Sequence, residues 1–202
     1  DEYEYMFEDA YANESIKAIV CRIHSPGGST HAMPTLQNIL QRRNKPVIAL
    51  IDNAAFSAAY YFAIHCDKII AVHSMSELGS IGTMATLVDD REAYEKYGYK
   101  ILEIYPPESA WKNKTTREAL EGKPELLIKE ELSPLAVNFQ DEVKTQRKAL
   151  DTKVEGILQG RTFFAKDAVK HGLIDQIMPF HEVIEYAFEL SKRTEFTKMF
   201  YQ

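Results

Sequence analysis

Ser57 stands where an apolar run meets a stretch of small residues, a position at which a serine can act as a nucleophile. Residues 46–52 (PVIALID) predict a buried strand, and residues 54–61 (AAFSAAYY) predict the start of a helix. A hydroxyl at such a junction lies at the positive end of the helix, beside free backbone N–H groups. Most serines at helix starts only cap the helix, so a second motif at a suitable spacing is needed.

A Gly-Gly turn about thirty residues upstream supplies that second motif. Residues 16–23 (IKAIVCRI) predict a strand, and this strand runs into residues 25–28 (SPGG). Glycine has no side chain, so the main chain of such a turn can approach a substrate carbonyl closely. Strand, Gly-Gly turn, helix, strand, serine turn and helix in this order predict an acyl-transfer site.

Composition excludes several other classes of protein. The 202 residues carry a formal net charge of −6, which argues against a general binder of nucleic acid or anionic membranes. No apolar run reaches the roughly 18 residues of a membrane span. Cys21 and Cys66 are too few for a disulfide framework, and the six histidines have no metal-ligand spacing. We expect two buried, reduced thiols, no metal site and no nucleotide cofactor.

Strands that alternate with helices predict an α/β protein with parallel strand pairing, and no linker divides residues 1–202 into more than one domain. In the first helix we expect Tyr5, Met6 and Ala10 to face inward, and the first strand to be buried on both faces. The predicted strands are 16–23, 46–52, 68–72, 83–88, 100–105 and 173–178, and the predicted helices are 2–14, 31–43, 54–64, 90–97, 124–150, 162–171 and 180–190.

Six short motifs in a fixed order carry a resemblance to a known family. The chain resembles the signal peptide peptidase A family of serine peptidases and, more distantly, the Clp protease proteolytic subunit. The resemblance covers about residues 14 to 180. Besides residues 25–28 and 55–61, it rests on residues 67–71 (DKIIA), 79–82 (GSIG), 109–113 (SAWKN) and the group Gly160-Arg161-Thr162, Ala168 and 172–175 (GLID).

The resemblance implies a ClpP/crotonase-like fold, with a mostly parallel sheet flanked by helices, and a Ser/Lys dyad that hydrolyses peptide bonds. Lys112 matches the family's lysine, with Lys114 as the second choice, and Trp111 is expected to shield the ammonium from water. A lysine serves as the base only when it is neutral. The backbone N–H of Ala58 and that of Gly27 or Gly28 are the expected oxyanion donors. We expect no cofactor.

Three departures and two alternatives accompany this hypothesis. Alanines 58 and 59 replace the family's two glycines, His24 stands where asparagine often precedes SPGG, and the family's first strand would lie before residue 1, which suggests a truncated amino end. One alternative is a phage head-maturation protease, expected in the cytoplasm, whereas an anchored relative would be membrane-associated. The other alternative is an inactive scaffold with the crotonase fold. A crotonase-like fold can also bind acyl-CoA, but such an enzyme would need no serine nucleophile, so the candidate serine argues against that function.

The expected partners are an unfolded protein or peptide substrate and further copies of the chain. The predicted helix 124–150 is charged yet carries Leu126, Leu127, Leu132, Leu135, Val137 and Phe139, which is more apolar surface than one packing face requires. The family assembles into rings or domes, so the resemblance implies a homo-oligomer. No nucleic acid and no membrane segment are expected in residues 1–202.

Overall fold

The chain divides into two compact units in a computed structural model, which describes the backbone of residues 2–200 and the side chains of residues 2–197. The first unit contains residues 1–82 and 139–202, and the second contains residues 83–138. The candidate serine belongs to the first unit and the candidate lysine to the second. A single domain over residues 1–202 stays a prediction.

The first unit is built on a mixed sheet whose central strand is β2. β2 pairs in parallel with β1, β3 and β4, and β3 pairs in parallel with β6. Among the strands of residues 2–200, only β4 and β5 pair antiparallel. Every side chain of residues 47–51 is buried, as their continuous apolar sequence predicts. The described strands are β1 Ile19–Ser25, β2 Val47–Phe56, β3 Lys68–Ala71, β4 Glu77–Gly79, β5 Thr162–Phe164 and β6 Gln176–Ile177.

Helices flank this sheet, so the α/β class with a mostly parallel sheet is confirmed. The described α-helices are α1 Glu2–Ala12, α2 Met33–Gln41, α3 Ala58–Ile64, α4 Arg91–Lys96, α5 Lys114–Leu120, α6 Glu125–Leu127, α7 Ser133–Gln146, α8 Ala165–Lys170 and α9 Phe180–Phe200. Within the described residues, no helix is both long enough and apolar enough to cross a lipid bilayer.

The inward face of α1 was predicted incorrectly. Phe7 and Tyr11 are the buried residues of this helix, whereas Tyr5 and Met6 are exposed. Phe7 and Tyr11 lie four residues apart on one face, and they pack in a cluster with Ile39 of α2. The Tyr11 hydroxyl donates a hydrogen bond to the carbonyl of Ile39, so the aromatic pair, rather than Met6, decides which face is buried.

β1 is less buried than its apolar sequence predicts. Only Ile23 is buried, and Arg22 and His24 are exposed. Among the described strands β1 pairs with β2 alone, so its other edge lacks a partner in this part of the chain. An edge strand cannot be buried as fully as a central strand, and this explains the difference.

Two predicted strands of the second unit, 83–88 and 100–105, do not form a ladder within the described residues. The predicted helix 124–150 is present as a continuous helical stretch of α6, one π-helical turn (Ile128–Leu132) and α7, and it ends at Gln146 rather than at residue 150. The first residues of the predicted helix 162–171 form a strand instead. Thr162–Phe164 pairs with β4 as β5, and α8 starts only after this pair. Each of these differences depends on tertiary pairing, which a local pattern does not report.

Candidate active site

The turn between β2 and α3 presents Ser57 in a strained backbone conformation. Its φ of 51° and ψ of −120° are rare for a residue with a side chain. The Ser57 N–H donates to the carbonyl of Gly79 at 2.9 Å, and the Ser57 carbonyl accepts from the N–H of Tyr61 at 2.9 Å. The first bond ties the turn to β4, and the second ties it to the first turn of α3.

The Ser57 hydroxyl makes no capping hydrogen bond to α3 and has no hydrogen-bond partner among the described residues. The side chain is half-buried. A serine that served only as a helix cap would accept a bond from the first turn. The hydroxyl is therefore available for chemistry at the start of a helix.

Gly27 lies directly against this serine. A Cβ added to Gly27 would stand 2.9 Å from the Ser57 Cβ and 2.8 Å from the carbonyl oxygen of Phe56, and the φ of Gly27 is +104°. The same position would be 3.3 Å from the backbone nitrogen of Ala58. The predicted glycine turn, the serine and the start of α3 thus meet at one place, although they lie about thirty residues apart in sequence.

The two other candidate oxyanion residues have different surroundings. A Cβ on Gly28 would meet no atom within 4 Å, so open space borders this residue. Ala58 is buried and is the first residue of α3, where the backbone N–H has no partner within the helix. An N–H that has no partner within its helix is suited to bind a developing negative charge.

An apolar groove of about 610 Å³ opens beside this turn within the first unit. Its walls include Gly27, Gly28, Ala58, Ala59 and Phe62, and it continues along β1 to α1. The groove is large enough for several side chains of an extended peptide. His24 is exposed on its rim and makes no ion pair or hydrogen bond within residues 2–197, so nothing described there orients it as a catalytic base.

Tyr60 and Tyr61 anchor α3 in the core. The buried Tyr60 hydroxyl donates to the carbonyl of Leu173 at 2.7 Å, and the Tyr61 hydroxyl donates to Gln37 Oε1 at 3.0 Å. Burial raises the pKa of Tyr60 well above its ordinary value, so this phenol stays neutral and serves as a structural donor. The helix that carries Ser57 at its start is therefore held at two points along its length.

Gly79 supports Ser57, a role that was not predicted from the sequence. Its carbonyl accepts the Ser57 N–H, its φ is +111°, and an added Cβ would lie 2.8 Å from the carbonyl oxygen of Arg161. Ser80 follows with a φ of 53°, and its N–H donates to that same Arg161 carbonyl at 3.0 Å. The signal was present in the motif GSIG at 79–82, which carries part of the family resemblance.

Lys112 lies in the second unit, in the turn before α5. Its side chain is exposed and makes no hydrogen bond or ion pair within residues 2–197. Within the single chain Trp111 does not shield this lysine: its ring is 67% exposed and lies 4.2 Å from the Nζ of Lys114. Lys114 also forms an ion pair with Glu118 at 3.7 Å. Of these two lysines, therefore, Lys114 has side-chain partners within the described residues and Lys112 has none.

The fold agrees with known structures. The chain superposes on a membrane-bound stomatin-specific protease in complex with a substrate peptide, with a TM-score of 0.57 and 18% identity over 92% of this chain and 70% of that chain. It also superposes on an enoyl-CoA hydratase from Magnetospirillum magneticum, with a TM-score of 0.51 and 15% identity over 96% of this chain and 63% of that chain. At these identities the likeness shows the fold alone, which is ClpP/crotonase-like.

The sequence defines the family within that fold: residues 39–194 match the profile of peptidase family S49, and the chain belongs to this family. It is 28% identical to Protease 4 of Haemophilus influenzae, over 93% of this chain and 31% of that protein. It is 29% identical to the chloroplastic serine protease SPPA of Arabidopsis thaliana, over 82% of this chain and 24% of that protein. The chain thus spans about a third or less of the length of these curated relatives.

Substituting alanine for Gly27 tests the contact between the turn and the serine. The added Cβ would push on Ser57 and would also require a positive φ, so we expect a lower melting temperature and about 100-fold slower reaction of Ser57 with a serine-directed probe. Gly28→Ala is the matched control for stability, because its Cβ meets open space. Wild-type melting and labelling of Gly27→Ala would contradict the described contact.

Proposed function

We propose that the chain is the catalytic part of a serine endopeptidase that works through an acyl-enzyme and a Ser/Lys dyad. The observation that carries the proposal is Ser57 itself: its hydroxyl is unbonded within the described residues, stands on a strained turn at a helix start, and lies against Gly27. Membership of peptidase family S49 supports the same reaction class.

The proposed first half of the reaction forms an ester. Lys112, in its neutral form, accepts the proton of the Ser57 hydroxyl while the serine oxygen attacks the peptide carbonyl. The N–H of Ala58 and that of Gly27 or Gly28 stabilise the oxyanion of the tetrahedral intermediate. The C–N bond then breaks, and the lysine returns its proton to the leaving amine.

The proposed second half releases the acyl group. A water molecule attacks the ester carbonyl, and Lys112 accepts a proton from that water. The C–O bond to Ser57 breaks, and the serine oxygen recovers its proton from the lysine. The cycle needs no metal and no cofactor, since the two side chains supply all the proton transfers.

The proposed substrates are extended peptides, such as signal peptides or segments of unfolded proteins. The apolar groove beside Gly28 and Ala58 supports this class, because it favours apolar side chains next to the reacting carbonyl. A phage head-maturation protease is the alternative biological role for the same chemistry. We also propose that the chain self-associates, and that the lysine and the serine of one site come from adjacent copies.

A fluorophosphonate probe tests the proposed reaction class. We expect covalent labelling of the wild-type chain at Ser57, located by mass spectrometry of its peptides, because the probe reacts only with an activated serine. The exposed Ser74, which has no hydrogen-bond partner within the described residues, is the internal control for non-specific labelling. Absence of labelling at Ser57 in an assembled, folded sample would favour the inactive scaffold instead.

A further inference from the structure

The turn that presents Lys112 is built from local hydrogen bonds. It lies between a single turn of 3₁₀-helix, Pro107–Ser109, and the start of α5. The Lys112 N–H donates to the carbonyl of Ser109 at 2.9 Å, and Asn113 has a left-handed φ of 54°. A local bond of this kind closes a turn but does not fix its direction relative to the helix that follows. We refer to residues 109–113 as the lysine turn.

Arg117 of α5 contacts the lysine turn on both sides of Lys112. Its guanidinium donates a hydrogen bond from Nη2 to the carbonyl of Ala110 at 3.0 Å, and its backbone N–H donates to the carbonyl of Asn113 at 2.9 Å. Ala110 precedes the lysine by two residues, and Asn113 follows it directly. One arginine therefore joins both ends of the stretch that carries the lysine to the first turn of α5.

Tyr105 holds the guanidinium in this place. The Cζ of Arg117 lies 4.4 Å from the centre of the Tyr105 ring, which is a cation–π contact. The Tyr105 hydroxyl accepts a hydrogen bond from Asn113 Nδ2 at 3.4 Å and donates one to Glu103 at 2.8 Å. The ring thus fixes the arginine, and the hydroxyl contacts the last residue of the lysine turn.

The shape of an arginine side chain suits these contacts. Its flat face lies on the aromatic ring while its edge donates to the carbonyl, and the compact ammonium of a lysine cannot do both. Arg117 is half-buried, and its Nε is buried without a hydrogen-bond partner within the described residues. A buried N–H without a partner lowers stability, so stability alone does not account for an arginine at this position. Both hydrogen bonds that it donates within residues 2–197 end at the lysine turn.

We infer that Arg117 is a positioning residue: by holding Ala110 and Asn113, it fixes the direction in which the lysine turn presents Lys112. The inference rests on the proposed Ser/Lys reaction, in which Lys112 takes the serine proton. Proton transfer needs donor and acceptor within hydrogen-bond reach, so a base on a turn that moves is in place only part of the time. Loss of Arg117 should therefore slow the chemical step through Lys112 and leave substrate binding unchanged.

The rate at which Ser57 reacts with a fluorophosphonate tests this role in a double-mutant cycle. We expect Arg117→Ala to react about tenfold more slowly than wild type, with complete labelling at the end. In a Lys112→Ala background, itself at least about 100-fold slower, the same substitution should change the rate by less than about twofold. A residue that acts only through Lys112 has nothing left to position there. A merely structural role would lower the rate or the labelled fraction by the same factor in both backgrounds.

Arg91→Ala is the matched control. Arg91 belongs to the same unit, and its guanidinium also donates to a backbone carbonyl, that of Leu120 at 3.0 Å. Its other guanidinium bonds within residues 2–197 go to Asp89 rather than to the lysine turn, so we expect labelling within about twofold of wild type. Hydrolysis of a quenched fluorescent peptide adds a second measurement: Arg117→Ala should lower kcat about tenfold and keep KM within about twofold of wild type.

Tyr105→Leu is a second variant that keeps the arginine. It removes the ring beneath the guanidinium, so we expect about fivefold slower labelling of Ser57 and no further slowing in the Lys112→Ala background. This variant decides between the outcomes if circular dichroism shows that Arg117→Ala does not fold.

Two results would overturn the inference while the proposed reaction stands. One is labelling of Arg117→Ala at the wild-type rate, and the other is an equal loss of rate with and without Lys112. Labelling of Lys112→Ala at the wild-type rate would instead refute the proposed dyad, and the inference would fall with it.

Discussion

Replacing Ser57 by alanine is expected to abolish peptide hydrolysis and to leave the melting temperature almost unchanged. Removal of a covalent nucleophile costs several orders of magnitude in rate, so residual activity should stay below about 1% of wild type. Stability should persist because alanine keeps the Cβ that contacts Gly27, and the lost hydroxyl has no hydrogen bond within the described residues.

The measurement is hydrolysis of a quenched fluorescent peptide, together with thermal unfolding of each variant. Ser74→Ala is the matched control, since it removes an exposed hydroxyl from the same unit. Activity of Ser57→Ala above about 1% of wild type would remove Ser57 as the nucleophile. A large loss of stability would show that the hydroxyl has a structural role.

Substitutions at Lys112 are expected to have an effect of similar size. Lys112→Ala and Lys112→Arg should both inactivate the enzyme, because arginine keeps the charge but cannot give up its proton at ordinary pH. Hydrolysis of the same quenched fluorescent peptide is measured for the wild type and each variant.

Lys114→Ala is the control for the lysine experiment. Lys114 already contacts Trp111 and Glu118, so its loss should reduce stability by less than about 1 kcal/mol and should leave hydrolysis intact. If Lys114→Ala is the inactive variant and Lys112→Ala is active, the family lysine lies two residues later than the resemblance implies.

A mixing experiment tests whether adjacent copies share one site. Ser57→Ala and Lys112→Ala proteins are each expected to be inactive alone. After subunit exchange, some interfaces would pair an intact serine with an intact lysine, so part of the activity should return. No recovery after exchange has been confirmed by mass would mean that each chain supplies its own dyad.

The serine turn could be predicted because its signals are local. Residues 46–52 are apolar throughout, and residues 54–61 change to small and aromatic residues at the point where the strand becomes a helix. The strained φ of Ser57 and the contact with Gly27 required the structure, since both depend on how β1 and β2 lie side by side. The role of Gly79 also depends on pairing between β2 and β4.

The second unit could be predicted less well. The segments 83–88 and 100–105 have strand-like sequences, but strand formation needs a partner, and none is found within the described chain. The helix around 90–97 was predicted because helical hydrogen bonds are made within the segment itself. The same reasoning explains why Lys112 could be named from its motif while its surroundings could not.

By itself, the sequence determined the α/β class, the order of the elements from α1 to β3, and the position of the serine at a strand-to-helix junction. These follow from hydrophobic periodicity and backbone preferences, which act over a few neighbouring residues. Only the tertiary structure decided that β1 is an edge, that β5 pairs with β4, and that Gly27 touches Ser57. Such contacts join residues far apart in the chain, and their free energy comes from burial and pairing that no local pattern contains.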